Sequence, residues 1–263
     1  MKTLASDLIG GLVPEGSERK KSFGRSKGVL EQIINTFDYY CELIDKRNLA
    51  YGLGIPLVRE KIPAASSQEI QFFYDFVTKL SKKETSTKEL LLRTREGALS
   101  YFLNELLNCT YEKSVHLTLH QRLDGLARGF GTYTAQQLTI HGNVGWTVAE
   151  KMTKGTIRIY GESSECTGEG MTGGKLIISG SVSQVSSFTG GIIQCNDFCL
   201  RSSTNVGTLY AKRIGDLILP QSEKPQHPNG TIHVKEGIHQ IDPRCNATIY
   251  LAGKKYWENG KKI

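Results

Sequence analysis

Leu138-Thr139-Ile140-His141-Gly142 returns as Ile157-Arg158-Ile159-Tyr160-Gly161, and again as Leu176-Ile177-Ile178-Ser179-Gly180. The step is 19 residues each time (138 to 157 to 176). Upstream, Leu117-Thr118-Leu119-His120 has the same apolar-polar-apolar form. A short alternating phrase of this kind buries one face of a strand. Its recurrence at a period near twenty marks a solenoid, in which each repeat is one coil and successive coils stack. The expected inward columns are Leu117/Leu138/Ile157/Leu176 and Leu119/Ile140/Ile159/Ile178.

The residues between the phrases fit coil geometry. One coil carries Gly142, Gly145, Met152 and Gly155; the next carries Gly161, Gly168, Met171, Gly173 and Gly174, and ends at Gly180. Superposed, Gly142 meets Gly161, Met152 meets Met171 and Gly155 meets Gly174. Glycine at the corners permits positive φ and close approach of one coil to the next. The methionines serve as adaptable interior fillers. After Gly180 the register shortens, with Gly190-Gly191-Ile192-Ile193 arriving early. Further strands are expected at 207–211, 215–219, 231–234 and 248–251, interrupted by Pro220, Pro225, Pro228 and Pro243.

The first part of the chain has a different period. Val29, Ile33, Ile34, Phe37, Cys41 and Ile44 form the stripe of an amphipathic helix. Ser66 and Glu69 make a capping box that opens a second helix, with Ile70, Phe73, Phe76, Val77 and Leu80 inward. Ser86 and Glu89 repeat the signal for a third helix, carrying Leu90, Leu91, Leu99, Phe102, Leu106 and Leu107 across an interior Gly97. Residues 48–65 read as a loop. The expected organisation is α+β: a basic extended arm at 1–26, a helical region at 27–110, a β-helix at 111–253 and a basic tail at 254–263. A parallel solenoid exposes an edge at each end, and the helices are expected to cover the first.

The stretch Gly142 to Gly180 resembles the GXGXG domain, found at the C-terminus of the glutamate synthase large subunit and as a separate chain of formylmethanofuran dehydrogenase. The resemblance rests on two consecutive coils with Gly, Met-x-x-Gly or Met-x-Gly-Gly, and Ile-x-Ile or Leu-x-Ile. It covers about half the chain and does not extend to the helical region. It implies a right-handed parallel β-helix whose role is mainly structural, supporting catalytic domains.

Composition narrows the function classes. The 263 residues are 38% hydrophobic and 22% charged, with no run apolar enough for a membrane helix. The start, Met1-Lys2-Thr3-Leu4-Ala5-Ser6-Asp7, lacks the pattern of a secretory signal. Six cysteines without CxxC spacing suit reduced thiols, so the expected location is cytoplasmic. The net charge of +7 is partly local. Arg19, Lys20, Lys21, Arg25 and Lys27 cluster in the arm and could contact an anionic partner, nucleic acid included. Only Phe23 accompanies them, so a stacking platform for single strands is not indicated.

Three groups compete as sites of chemistry. His120 and His141 occupy equivalent places in the expected alignment, and His116 shares a face with them; a surface ladder outweighs a metal site, since no carboxylate or thiol joins them. Cys166, Cys195 and Cys199 are read as core residues rather than a zinc set. Gly168-Glu169-Gly170 and Gly173-Gly174 lack the helix and the Gly-Lys-Ser/Thr of a phosphate loop. Glu162 and Glu165 lie on turns. The pattern contains no catalytic constellation and implies no metal or cofactor. The function expected is a noncatalytic scaffold or protein-interaction subunit. The alternatives are an accessory subunit of a glutamate synthase-like or formylmethanofuran dehydrogenase-like enzyme, and a nucleic-acid-associated protein using the basic arm.

Overall fold

A computed structural model describes residues 28–41, 62–83, 89–131, 136–200, 205–217 and 229–263. The arm at 1–26, Lys27, Ile44, Ser86 and residues 48–61 of the expected loop lie outside the described residues. The chain divides into two units, Met1–Glu112 and Lys113–Ile263.

The first unit contains α1 (28–41), α2 (Ser67–Lys83) and α3 (Glu89–Cys109). The capping box forms at the start of α2: the Glu69 backbone N–H donates to Ser66 Oγ at 3.2 Å, and Ser66 N–H donates to Glu69 Oε2 at 2.8 Å. Ser67 N–H donates to Glu112 Oε2 at 3.0 Å and Thr110 Oγ1 to the Ala65 carbonyl at 2.6 Å, tying the end of α3 to the start of α2. The core centres on three rings, Phe37, Phe73 and Phe102, with centroids 5.2–5.3 Å apart. Edge-to-face pairs of this kind add about 0.5–1.5 kcal/mol each beyond the area they bury. Tyr74 takes the fully buried place expected of Phe76 and Val77, which are half-buried. Helix α3 runs through Gly97 without a break.

The second unit is a β-solenoid. Its strands are β1 (Ser114–Thr118), β2 (Gln137–His141), β3 (Thr156–Tyr160), β4 (Thr172–Ile178), β5 (Gly190–Leu200), β6 (Asn205–Leu217), β7 (Asn229–Ile241) and β8 (Thr248–Leu251). They lie side by side in chain order, every neighbour parallel. The residues read as a basic tail carry β9 (Lys254–Glu258) and β10 (Lys261–Lys262), which fold back antiparallel on β8. Trp257 Nε1 donates to the Cys245 carbonyl at 2.8 Å and fixes this hairpin to the last coil. The outermost strand is thus two lysines, a short charged edge of the kind that resists pairing with another chain.

Two features of the expected alignment are corrected. Val115 pairs with Leu138 and Leu117 with Ile140, so β1 lies two residues away from the expected register. The inward columns are Val115/Leu138/Ile157/Leu176 and Leu117/Ile140/Ile159/Ile178, each residue at most 2% exposed. They continue as Ile193/Leu209/Ile232/Ile249 and Cys195/Ala211/Val234/Leu251. Second, the strand expected at 215–219 is not separate. Residues 215–217 are the end of the 13-residue β6. In β5 to β7 the chain passes the corner without breaking and builds a further row, Phe198/Ile214/Ile238, buried at Phe198 and Ile214 and half-buried at Ile238. Val182 and Ser163 extend that row into the earlier coils.

The corner glycines stack as expected, with one change of cause. Only Gly142 of the column Gly142/Gly161/Gly180 has positive φ, at 125°. At Gly161 and Gly180 the requirement is space, because a Cβ would strike the backbone of the coil before. Met152 and Met171 are fully buried.

Three coils share a second device. Alternate residues take left-handed φ at Gly125, Ala127, Gly129 and Gly131, then at Thr147, Ala149 and Lys151, then at Cys166, Gly168 and Gly170. The apolar residues and the threonine that lie between or just after these positions, Leu126, Phe130, Val148, Met152, Thr167 and Met171, are buried, whereas Arg128, Glu150 and Glu169 are not. Backbone bonds link the coils in order: Gly129 N–H donates to the Glu150 carbonyl at 2.7 Å, Lys151 N–H to that of Glu169 at 2.7 Å, and Gly170 N–H to that of Ser187 at 2.8 Å. The first of these runs, Gly125-Leu126-Ala127-Arg128-Gly129-Phe130-Gly131, lies outside the phrases that reveal the repeat, although its alternating glycines are a usable signal.

Candidate binding face

Strand alternation decides which side chains reach solvent. With Val115, Leu117 and their successors inward, each of the eight parallel rungs presents three positions outward. The central column runs His116–Thr139–Arg158–Ile177–Gln194–Tyr210–His233–Tyr250. On one side of it lie Gln137, Thr156, Lys175, Thr208, Thr231 and Thr248. On the other lie His141, Tyr160, Ser179, Asn196, Lys212 and Lys235. At about 4.8 Å per rung the face is roughly 34 Å long. Arg158, Lys175, Lys212 and Lys235 project from it, and its one carboxylate is Glu236, which reaches Lys212 at the register shift between β6 and β7.

Parallel in-register pairing puts like side chains one above another, and rings then stack. His141 lies on Tyr160 with centroids 4.8 Å apart and planes 13° from parallel. Tyr210, His233 and Tyr250 form a longer stack, with separations of 4.7 and 5.0 Å and tilts of 9° and 14°. The sequence signal for this stack is a second phrase, Thr208-Leu209-Tyr210-Ala211-Lys212, Thr231-Ile232-His233-Val234-Lys235 and Thr248-Ile249-Tyr250. Its strands are legible from their aliphatic residues. Its central aromatic column is not, because the inward residues that define a strand do not say what recurs outward.

Beside the stack runs a groove of about 450 Å³. Gln194, Tyr210 and His233 line it, with Asn196, Lys212 and Lys235 also on its surface and Ala252-Gly253 at one end. Lys212 Nζ reaches Glu236 Oε1 at 3.5 Å, both side chains more than 40% exposed. Asn196 Nδ2 donates to the Ser179 carbonyl. Beneath the groove, in the inward column, the Cys195 thiol is pushed up to about 12 by burial, with Asp197 adding to the effect. That thiol stays protonated at neutral pH and supplies no nucleophile.

The other residues expected from sequence fall elsewhere. His116 pairs across to Thr139, and His141 to Thr118 and Tyr160, so the register puts no two of His116, His120 and His141 on neighbouring rungs of one column. The described residues hold no group of three or more His, Cys, Asp or Glu placed to bind a metal. Cys166 sits at a left-handed coil position, and the side chain of Cys199 lies outside the described residues. Gly168 and Gly170 belong to the alternating run, while Gly173 and Gly174 open β4, where a Cβ on either would strike the coil before. Gly145 lies against Asp124, whose Oδ1 accepts from Trp146 N–H at 2.7 Å, and Gly155 lies on the Gln136 carbonyl. Glu162 pairs with Arg122 at 3.3 Å on the surface. Arg19, Lys20, Lys21, Arg25 and Lys27 lie outside the described residues. None of the described helices is long and apolar enough to cross a membrane.

What the face offers is ring edges, neutral hydrogen-bonding groups and ammonium or guanidinium charge on a rigid sheet. Such an array binds and orients. No family model, curated protein or solved structure matches the chain.

Proposed function

We propose that this chain is a noncatalytic scaffold whose flat outer face docks an acidic surface of a partner protein. The observation that carries the reading is charge. Across eight rungs the face holds four permanent cations against one carboxylate, Glu236 beside Lys212, on a surface of parallel strands. Surfaces of predominantly one sign steer and select oppositely charged partners more than they raise raw affinity. The exposed aromatics Tyr160 and Tyr210, 53% and 41% exposed, are the residue type that anchors such contacts.

We read the solenoid as a GXGXG-type, right-handed β-helix of a cytoplasmic complex. The alternating run from Gly125 to Gly131, echoed at 147–151 and 166–170, supports that reading. On this basis the partner is a catalytic chain carrying its own cofactor, with this chain as its accessory subunit.

The test is affinity capture of the tagged full chain from native extract, beside a variant with Arg158, Lys175, Lys212 and Lys235 all changed to Gln. The expected result is one stoichiometric acidic partner, held by the parent, released by raised salt and lost by the variant. Undiminished capture by the variant, or recovery of the protein with no stoichiometric partner, would overturn the proposal.

A further inference from the structure

We infer that the groove beside Tyr210 and His233 is a binding site for a small anionic sugar, one bearing a phosphate or a carboxylate. The inference rests on the outer face being a recognition surface and adds a small ligand to it.

Size is the first support. A groove of about 450 Å³ falls within the range of small-molecule sites. Charge is the second. Lys212 and Lys235 both line the groove from the neighbouring strands β6 and β7, which run about 4.8 Å apart, at the register shift where Lys235 and Glu236 together oppose Lys212. Lys212 is partly neutralised by an exposed contact with Glu236, while Lys235 has no ion pair among the described residues. Two ammonium groups at that spacing can flank one compact oxyanion, which removes their mutual repulsion and supplies charge-assisted hydrogen bonds.

The opposite wall accounts for the rest of the ligand. Gln194 brings an amide, Tyr210 a hydroxyl and His233 an imidazole, and these side chains make no hydrogen bond among the described residues. Neutral donors and acceptors in a row match the hydroxyl groups of a sugar. They do not match a flat aromatic ligand. Tyr210, His233 and Tyr250 stack along the solenoid axis with planes within 14° of parallel, so the rings turn their edges to the groove and use their faces on one another.

The experiment is calorimetric titration of the full chain at low salt with glucose 6-phosphate, glucuronate, glucose and inorganic phosphate. The expected result is one-site binding of at least one of the two anionic sugars, about tenfold or more tighter than glucose or inorganic phosphate. Binding of only glucose 6-phosphate assigns the anion as phosphate, and of only glucuronate as carboxylate. Lys235→Gln should weaken that binding about tenfold, the cost of one charge-assisted contact. Gln194→Ala should bring the sugar's affinity down towards that of inorganic phosphate. Lys175→Gln, on the same face outside the groove, should bind as the parent does, as should a chain with Arg19, Lys20, Lys21 and Arg25 changed to Gln. Gln194 and Lys235 are exposed, and an unchanged melting curve establishes that each variant folds. Failure of both anionic sugars to bind overturns the inference, as does full affinity in Lys235→Gln or equal affinity for inorganic phosphate. If the sugars fail while partner capture still depends on the face cations, the ligand assignment falls and the docking face stands.

Discussion

Gly161 lies directly on Gly142: a Cβ added at position 161 would collide with the Gly142 carbonyl oxygen. The next glycine repeats the relationship, since a Cβ at Gly180 would sit 2.5 Å from the Gly161 carbonyl oxygen. In both cases the obstacle is backbone, which cannot swing aside as a side-chain end can. Gly161→Ala must therefore prise two coils apart, and the expected loss is about 1–3 kcal/mol, the range for overpacking a tight interior. Gly237 is the control, because a Cβ there meets nothing within 4 Å and φ is ordinary. Gly237→Ala should leave stability unchanged or raise it slightly, since alanine loses less chain entropy on folding than glycine. Urea denaturation of the two variants beside the parent measures the contrast.

The alternating left-handed runs allow conformation to be separated from space. At Gly170, φ is 65° and the nearest atom to an added Cβ is Lys151 Cγ at 3.4 Å, so alanine fits there. Its cost is then conformational, about 1–2 kcal/mol for an L-residue held in the left-handed region. Lys151 makes the reverse case, with φ of 56° and a side chain 66% exposed whose nearest partner, Glu150, is 3.4 Å away. Lys151→Gly should stabilise the solenoid by about 1 kcal/mol, because an exposed ion pair contributes less than the strain it sits on. Thermal unfolding should rank the three proteins Lys151→Gly, parent, Gly170→Ala, and any other order contradicts the explanation.

The repeat is legible from sequence because inward residues recur with period two inside a strand and about nineteen between strands. The same property hides the register of β1. Val115, Leu117 and Leu119 are all apolar, so a slip by one residue is ruled out while a slip by two leaves every inward position filled. What decides is backbone packing at the corner: Gly142 lies on the Leu119 carbonyl, and Leu119 N–H donates to the His141 carbonyl at 2.7 Å. The expected histidine ladder belongs to the other register and does not form, and His141 stacks on Tyr160 instead. Strands β5 to β7 outrun their expected ends for a related reason. The corner after β4 is Gly180, but the next coil passes the same corner through Asn196 and Asp197, and Asn196 donates its N–H to the Gly180 carbonyl at 3.2 Å. With no glycine to break it, the strand continues to Phe198 and beyond. The groove depends on outward columns, and those appear only once the register is known.

Burial of thiols makes a prediction about alkaline pH. The Cys195 thiol is raised from 9.0 to about 12 by burial with a contribution from Asp197, and that of Cys245 from 9.0 to about 11, mainly by burial. Between the unfolded and folded values the native state keeps a proton that the unfolded chain has released. Stability therefore falls as pH rises above about 9, and keeps falling until the folded thiol itself ionises. Cys195→Val keeps an apolar residue of similar size in the column and removes that titration. The variant should lose less stability than the parent between pH 8 and pH 10.5 in denaturant titrations. In the native protein a thiol reagent at pH 8 should react at Cys195 only on the timescale of unfolding.

Asp197 and Arg213 lie opposite each other on β5 and β6, with Arg213 Nε donating to Oδ1 at 2.8 Å and Nη2 to Oδ2 at 3.0 Å. This two-pronged contact holds the Asp197 carboxyl below its ordinary value, and burial, which acts in the opposite sense, is the weaker influence. A carboxyl lowered in the folded state adds stability above its unfolded value of 3.8, and that contribution disappears as pH falls through the lower folded value. Both side chains are more than a third exposed, so solvent and salt reduce what the pair contributes. Asp197→Asn should thus cause only a small loss at neutral pH, smaller still in high salt. The useful observation is the difference between variant and parent as acid is added. It should narrow steadily below about pH 4 and vanish once Asp197 is protonated in both folded and unfolded parent. A difference that stays constant to pH 2 would show that the aspartate acts through packing at the strand corner and not through its charge.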